Sequence, residues 1–224
     1  LNVVKDIRYE RELRRLAVYS TFGEWKRHPI LPTIVFGHRK LDWDFAASNA
    51  LRCYFGSTDI YRSGLPFDWS PLQNKKPIIY CSISTLVGLK METEVDNCEG
   101  NKIFYGERKG FSLTARYLNA VIDAFSLRSD WQLILACGPF YECIQRRPLP
   151  KNVHVFGRVP QLTVLRGADL VICWGGAGTV RESVNLRVPM LIFPAWTDQY
   201  GNAARVVSRN IGLSGDIRRI TAEM

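Results

Sequence analysis

From Lys75 to Asn210 the chain alternates short apolar runs with stretches whose apolar residues recur at helical spacing, and few folds accept that alternation. "PIIYCSIS" (Pro77 to Ser84) reads as a strand, and "FSLTARYLNAVIDAF" (Phe111 to Phe125) as a helix with Leu113, Tyr117, Val121 and Phe125 on one side. "WQLILACG" (Trp131 to Gly138), "NVHVFG" (Asn152 to Gly157), "DLVICW" (Asp169 to Trp174) and "PMLIFP" (Pro189 to Pro194) read as further strands. Between them lie a short helix in "QLTVLRGA" and helices from about Ala177 to Leu186 and from about Gln199 to Asn210. Strands apolar on both faces that alternate with amphipathic helices predict an α/β domain, its doubly wound parallel sheet covered on both sides. Such sheets bind ligands outside the carboxyl ends of their strands.

Before Lys75 the pattern changes. "RYERELRRLAVYS" (Arg8 to Ser20) reads as a charged helix, "LPTIVFG" and "ALRCYFG" as strands, and Ser57 to Lys76, with Gly64, Pro66, Ser70 and Pro71, as an interdomain linker. The expected organisation is a fragment of a second domain with its linker over residues 1–70, followed by a ligand-binding domain over residues 71–224. The chain opens on Leu1 and stops at Met224 as a new helix begins, the pattern expected of a piece of something longer. "LKMETEVDNCEGNK" (Leu89 to Lys102) reads as a polar loop.

The 224 residues are 46% hydrophobic, enough to bury a substantial core. The net charge of +9 suits polyanionic partners, whether nucleic acid, an anionic membrane face or a phosphate-bearing ligand. The Lys and Arg residues are scattered rather than gathered into a run, so a generally basic surface accounts for the charge equally well. No nucleic-acid recognition motif accompanies it. No stretch of about 18 apolar residues and no signal peptide appears, and a peripheral contact with a bilayer stays open. The six cysteines form no CxxC pair and no zinc-site spacing. Cys81, Cys137 and Cys173 fall inside apolar runs, where a free thiol behaves as a small hydrophobe, and a reducing cytosol is the simplest setting.

The polar and glycine residues collect where the strand-end rule places a ligand. "RVPQ" (Arg158 to Gln161) follows one strand, "GGAGT" (Gly175 to Thr179) the next, and "AWTDQ" (Ala195 to Gln199) the one after. A glycine turn opening a helix lets a ligand approach the backbone and offers it free N–H groups and the positive dipole end, and Thr179 adds a hydroxyl. Tight packing of helix on strand calls for glycines as well.

The order of these elements supplies a resemblance. "VHVFGRVPQLTVLRGADLVICWGGAGTVRESVNLRVPMLIFPAWTDQYGNAARV" resembles the donor-binding signature of the UDP-sugar glycosyltransferases of GT-B fold, family 1. That group includes plant secondary-product and bacterial macrolide and carotenoid glycosyltransferases. The family pattern runs W-x-P-Q, H-x-G-x-x-S/T, E, G-V-P and D-Q, and with "FGSTDI…LPFDW…KKPIIYCSIST" upstream the likeness covers about Cys53 to Met224. It implies that the domain is the Rossmann-like donor half of such an enzyme. Pro160 and Gln161, with the backbone of Arg158 and Val159, match the segment that holds base and ribose, and Glu182 matches the acid that chelates the ribose diol. Gly176, Gly178 and Thr179 match the diphosphate turn, and Thr85 matches a hydroxyl residue that touches the phosphates. Asp198 and Gln199 match the pair that binds hydroxyls of the transferred sugar. Helix N-capping also explains Asp198, and a solvated helix face Glu182.

Four positions depart from the family pattern. Trp174 stands where a His usually donates to the diphosphate; it either replaces that contact, leaves the charge to the helix dipole and Thr179, marks a degraded site, or closes the core as a strand-end aromatic. Arg158 stands where plant members stack a Trp on uracil, a role that a guanidinium plane can fill. Ser84 and Arg187 stand where glycines are usual. The resemblance implies an inverting transfer of a sugar, a hexose by expectation, from a UDP or dTDP donor to a hydroxyl of a small hydrophobic acceptor, with no metal or other cofactor. The catalytic base would lie in the acceptor domain, whose motif His28, His38 and His154 do not match. A non-catalytic nucleotide-sugar-binding module acting with a partner chain is the alternative.

Overall fold

Six parallel strands, the longest of five residues, make up the sheet on which the candidate site is built. The structure is a computed structural model and describes residues 33–36, 52–55, 64–73, 75–83, 109–146 and 148–222. In chain order the sheet region runs β3 (Ile78–Ser82), α1 (Lys109–Ser126), β4 (Gln132–Ala136), α2 (Tyr141–Gln145), β5 (Val153–Phe156), α3 (Gln161–Gly167) and β6 (Leu170–Cys173). It continues through α4 (Ala177–Leu186), β7 (Met190–Ile192), α5 (Thr197–Ser208) and β8 (Gly212–Ser214). Upstream, β1 (Thr33–Phe36) and β2 (Arg52–Phe55) pair in parallel with each other, in the two segments read as strands. The charged segment Arg8 to Ser20 and the polar stretch Leu89 to Lys102 lie outside the described residues.

The spatial order is β5-β4-β3-β6-β7-β8, with every neighbouring pair parallel. The chain starts in the middle at β3, builds outward to β5, then returns to the far side of β3 and builds outward again. The reversal opens a crevice between the carboxyl ends of β3 and β6, the position at which doubly wound sheets take ligands.

Residues two apart share a face of a strand, and the two core layers follow that rule. Ile79, Cys81, Leu133, Leu135, Ile172 and Trp174 face α1, against Tyr117, Leu118, Val121, Ile122 and Phe125. Tyr80, Ile134, Val171, Cys173, Met190 and Ile192 face the other layer, with Val164 and Leu165 of α3, Val180 of α4 and Ala203, Ala204 and Val206 of α5. Cys81, Cys137 and Cys173 are free and buried, as their apolar surroundings led us to expect, and burial pushes each thiol up to about 12.

Residues 64–73 lie along the outer layer. Phe67 meets Trp69 and Phe156 edge to face, with ring centroids 4.8 and 5.3 Å apart, and the Thr163 hydroxyl of α3 donates to the Leu65 carbonyl at 2.8 Å. Gly167 is obligatory under this cover, because a Cβ there would come within 2.5 Å of the Trp69 ring. The buried Gln132 amide donates to the Gln73 carbonyl at 2.8 Å and fixes the end of the segment to β4.

Arg187 follows the last turn of α4 in the left-handed region, φ 60° and ψ 32°. The backbone N–H of Val188 reaches back to the Ser183 carbonyl at 2.9 Å, closing the helix in the manner that normally selects glycine. A Cβ in this conformation costs about 1 kcal/mol, so Arg187→Gly is expected to raise stability by about that much, read as a higher midpoint in urea unfolding.

Two elements differ from the sequence reading. Helix α5 begins at Thr197 rather than near Gln199, and β8 fills a segment with no strand signal, "GLS". Among the described residues no helix is long and apolar enough to cross a membrane.

Candidate functional site

The carboxyl ends of β5, β6 and β7 deliver three loops to one end of the sheet, and the middle loop carries the feature that defines the site. After β6 the chain turns through Gly175 at φ +83°, and a Cβ at this position would sit 2.7 Å from Ile192 Cγ2 and 3.3 Å from the Gln199 carbonyl. Gly175 is therefore a glycine of backbone geometry and packing. Gly176 and Gly178 are different: φ at Gly176 is −59°, and a Cβ at either position meets nothing within 4 Å among the described residues. Packing does not explain them. They leave an open backbone surface at the start of a ten-residue helix that has no side-chain N-cap. The first helical hydrogen bond runs from Val180 N to Gly176 O at 3.0 Å, so the N–H groups of residues 177–179 have no partner within the helix. Such an end attracts an anion through its N–H groups and through the dipole of α4.

One side of this turn is lined by a hydrogen-bonded set. Gln161, in the first turn of α3, donates through Nε2 to Glu182 Oε2 at 2.6 Å and to Thr179 Oγ1 at 3.3 Å. Its Oε1 accepts from the Tyr80 hydroxyl at 3.1 Å. Glu182 is only 8% exposed, so it does not belong to a solvated helix face. Oε1 of Glu182 takes no hydrogen bond among the described residues. Because a lone pair of Thr179 is already taken by Gln161, its O–H proton is left to donate to an anion at the turn. Burial pushes the Tyr80 phenol well above its usual value, so it stays a donor at any ordinary pH.

The loop after β7 sits on the other side. Gln199 is buried, and its Oε1 accepts from the backbone N–H groups of Ala195 and Trp196 at 2.9 and 3.0 Å. That side chain holds the loop in shape. Asp198 is exposed in the first turn of α5, where its charge suits the helix dipole; the N-cap is Trp196, so the capping role considered for Asp198 does not apply. Asn202, one turn on, donates to Asp198 Oδ2 at 3.1 Å and to the Gly175 carbonyl at 2.9 Å, tying α5 to the glycine turn.

Of the remaining residues named from sequence, Arg158 is exposed after β5 and Val159 packs half-buried on the outer layer, with Pro160 as the N-cap of α3. Thr85 and Ser84 lie outside the described residues. Trp174 is 2% exposed and faces α1, its ring 5.7 Å from Tyr117 in an edge-to-face contact. Its indole Nε1 is buried and has no hydrogen-bond partner among the described residues. The structure thus brings Gln161, Thr179 and Glu182 into contact and places Gly176 and Gly178 beside them, whereas Trp174 belongs to the opposite core layer. Sequence reasoning missed Tyr80 and Asn202; the signal for Tyr80 was a hydroxyl-bearing ring in a largely apolar strand.

A parallel sheet that reverses its strand order at β3 and β6, with an open glycine turn and a buried carboxylate at that end, is a Rossmann-like arrangement. Residues 134–224 match the family described as erythromycin biosynthesis protein CIII-like, C-terminal domain. The chain is 36% identical over 93 residues to the oleandomycin glycosyltransferase of Streptomyces antibioticus, a match covering 42% of this chain and 22% of that protein. It is 28% identical over 137 residues to the NDP-glycosyltransferase YjiC of Bacillus subtilis (strain 168), covering 60% of this chain and 35% of that one. In fold it is similar to the glycosyltransferase of kitacinnamycin, with TM-score 0.65 and 23% identity over 97% of this chain and 52% of that one. It is also similar to the spinosyn rhamnosyltransferase SpnG complexed with thymidine diphosphate, with TM-score 0.56 and 20% identity over 79% of this chain and 40% of that one. The matched family, the glycosyltransferase relatives and the fold together support a likeness to the C-terminal half of a family 1 glycosyltransferase of GT-B fold. The curated relatives are matched over about a third of their length or less.

Proposed function

We propose that this chain supplies the donor-binding half of an inverting, metal-independent glycosyltransferase that moves a hexose from a UDP-sugar to a hydroxyl of a small hydrophobic acceptor. The observation that carries the reading is the open glycine surface at the uncapped start of α4, flanked by Thr179 and the Gln161–Glu182 pair. In this reading the diphosphate sits on the N–H groups of residues 177–179 with the Thr179 hydroxyl as a further donor, and Glu182 receives the ribose. Arg158 lies beside the base and Asp198 beside the transferred sugar. The helix N-terminus and the hydrogen bonds meet the charge that develops on the departing nucleoside diphosphate, so the scheme calls for no metal. The acceptor hydroxyl attacks the anomeric carbon from the opposite face, and the base that takes its proton belongs to the acceptor domain. The chain alone is therefore expected to bind donor without turnover.

A second reading keeps the nucleotide and drops the chemistry, with this chain as a nucleotide-sugar-binding module beside a partner chain. The burial of Trp174 under α1 favours it, since the indole N–H is not presented to the diphosphate turn.

Calorimetric titration with UDP, dTDP and UDP-glucose tests the site. Saturable binding is expected, and Glu182→Ala should weaken it at least about tenfold, the scale of losing a hydrogen bond to a charged group. Undiminished binding by the variant would remove Glu182 from the site, and robust glycosyl transfer by the isolated chain would overturn the division of labour.

A further inference from the structure

We infer that the strap of residues 64–73 is energetically coupled to the crevice: by gripping α3 from outside it holds Gln161 in place, and a nucleotide bound in the crevice tightens that grip in return. This inference rests on the donor-site reading above. Helix α3 is the weak link. It has seven residues and no side-chain N-cap, and a helix of about two turns has no stability of its own in water. Packing must hold it. On the inner side Val164 and Leu165 are fully buried in the outer core layer. On the other side stands the strap. The Thr163 hydroxyl donates to the Leu65 carbonyl at 2.8 Å, and the strap backbone comes so close at Gly64 that a Cβ there would overlap Thr163 Oγ1. At the far end of the helix the Trp69 ring lies over Gly167, and Phe67 locks Trp69 to Phe156 of β5 through two edge-to-face contacts.

The same first turn serves the crevice. Gln161 stands two residues before Thr163 and donates to Glu182 Oε2 at 2.6 Å and to Thr179 Oγ1 at 3.3 Å. One short turn therefore joins the anchor of the strap to the hydrogen-bonded set beside the glycine turn. When the strap peels away, that turn loses its outer support and Gln161 drifts from Glu182 and Thr179. A nucleotide that meets the intact set binds the strapped form more tightly than the released one. A ligand with such a preference shifts the equilibrium toward the form it prefers, and the coupling acts equally in both directions. Occupancy of the crevice is thus felt at the point where the chain enters the sheet region.

The test is amide hydrogen exchange of the unaltered chain with and without saturating UDP, beside a calorimetric titration. Two amides report the strap: Gln73 N–H, which donates to Gln132 Oε1, and Leu72 N–H, which donates to the Trp69 carbonyl at 3.0 Å. The amides of Leu127 and Arg128, bonded to the Ala124 and Phe125 carbonyls just past α1 on the opposite layer, are the reference. Bound UDP is expected to slow exchange in the strap about fivefold or more, the usual scale of coupling between sites, and to leave the reference alone. The double variant Phe67→Ala/Trp69→Ala releases the strap, and its affinity for UDP should fall by about the same factor. Val121→Ala, a cavity on the α1 side of the sheet, lowers stability but should keep the affinity. Exchange in the strap that ignores bound UDP would overturn the inference, and so would a slowing shared equally by the reference amides, which signals stabilisation of the whole fold. An equal loss of affinity in Val121→Ala and the double variant would overturn it as well. Should the double variant fail to fold, the exchange of the unaltered chain decides alone. Failure of the unaltered chain to bind UDP in the titration would instead defeat the donor-site reading, and this inference with it.

Discussion

Trp174→Ala is expected to destabilise the domain by about 3–5 kcal/mol, the range for removing a large aromatic from a close-packed core. The ring is 2% exposed, sits edge to face with Tyr117 and belongs to the layer that holds Cys81, Leu135 and Ile172 against α1. Since whole domains are stable by only about 5–15 kcal/mol, such a loss leaves a marginal fold. Trp174→Phe should behave very differently. It keeps most of the contact area and deletes an N–H that is buried without a partner among the described residues, a group whose desolvation costs about 1–3 kcal/mol. Thermal unfolding of the pair therefore distinguishes a core aromatic from a ligand contact. The core role predicts a collapse for Ala and near-neutrality for Phe, with nucleotide affinity in the Phe variant unchanged. A stable Ala variant with weakened nucleotide binding would put the indole in the site after all.

Gly178→Asp is expected to separate stability from binding in the opposite sense. The position lies in the first turn of α4, and an added Cβ meets nothing within 4 Å among the described residues, which leave the side chain room. A carboxylate at a helix N-terminus contributes about 0.3–1 kcal/mol through the dipole, and replacing glycine within a helix adds to that gain. The melting temperature should rise by a few degrees. The same carboxylate occupies the N–H groups that a diphosphate would use and repels it. Losing two charge-assisted hydrogen bonds, each worth about 1.5–3 kcal/mol, weakens nucleotide binding by about 100-fold or more. Titration of a better-folded protein that still binds UDP normally would show that the turn is not where the phosphates lie.

The sheet and most of its helices were legible because most strands are short, mainly apolar runs and each long helix repeats at its own period. The same property hid the layer to which Trp174 belongs. In "DLVICW" every residue from Leu170 is apolar, both faces are buried, and nothing in composition says which face meets α1. Strand β8 escaped notice for a different reason: "GLS" has a glycine and a serine in three residues, and its place is set by pairing with β7 and by α5 rather than by propensity. The start of α5 was misjudged because Gln199, which looked like the beginning of the helix, reaches back to cap it. At the site, the spacing of Gln161, Thr179 and Glu182 announced a common purpose, but their mutual bonds and the part of Tyr80 are long-range facts. Tyr80 and Gln161 are 81 positions apart in the chain. The glycines of the turn were ambiguous until the space around each was known: Gly175 answers to packing, Gly176 and Gly178 to open backbone.

The strip of chain over residues 64–73 has a practical meaning for anyone who cuts this protein. A protease or a cloning boundary placed at residue 74 or later would strip Phe67 and Trp69 from Phe156 and from the surface above Gly167, leaving an apolar scar on the outside of α3. Scars of that kind are adhesive, and the shortened piece would be prone to precipitate or to pair with its own copies. A soluble truncation of the sheet region must therefore keep the aromatic pair, and begin at or before Gly64.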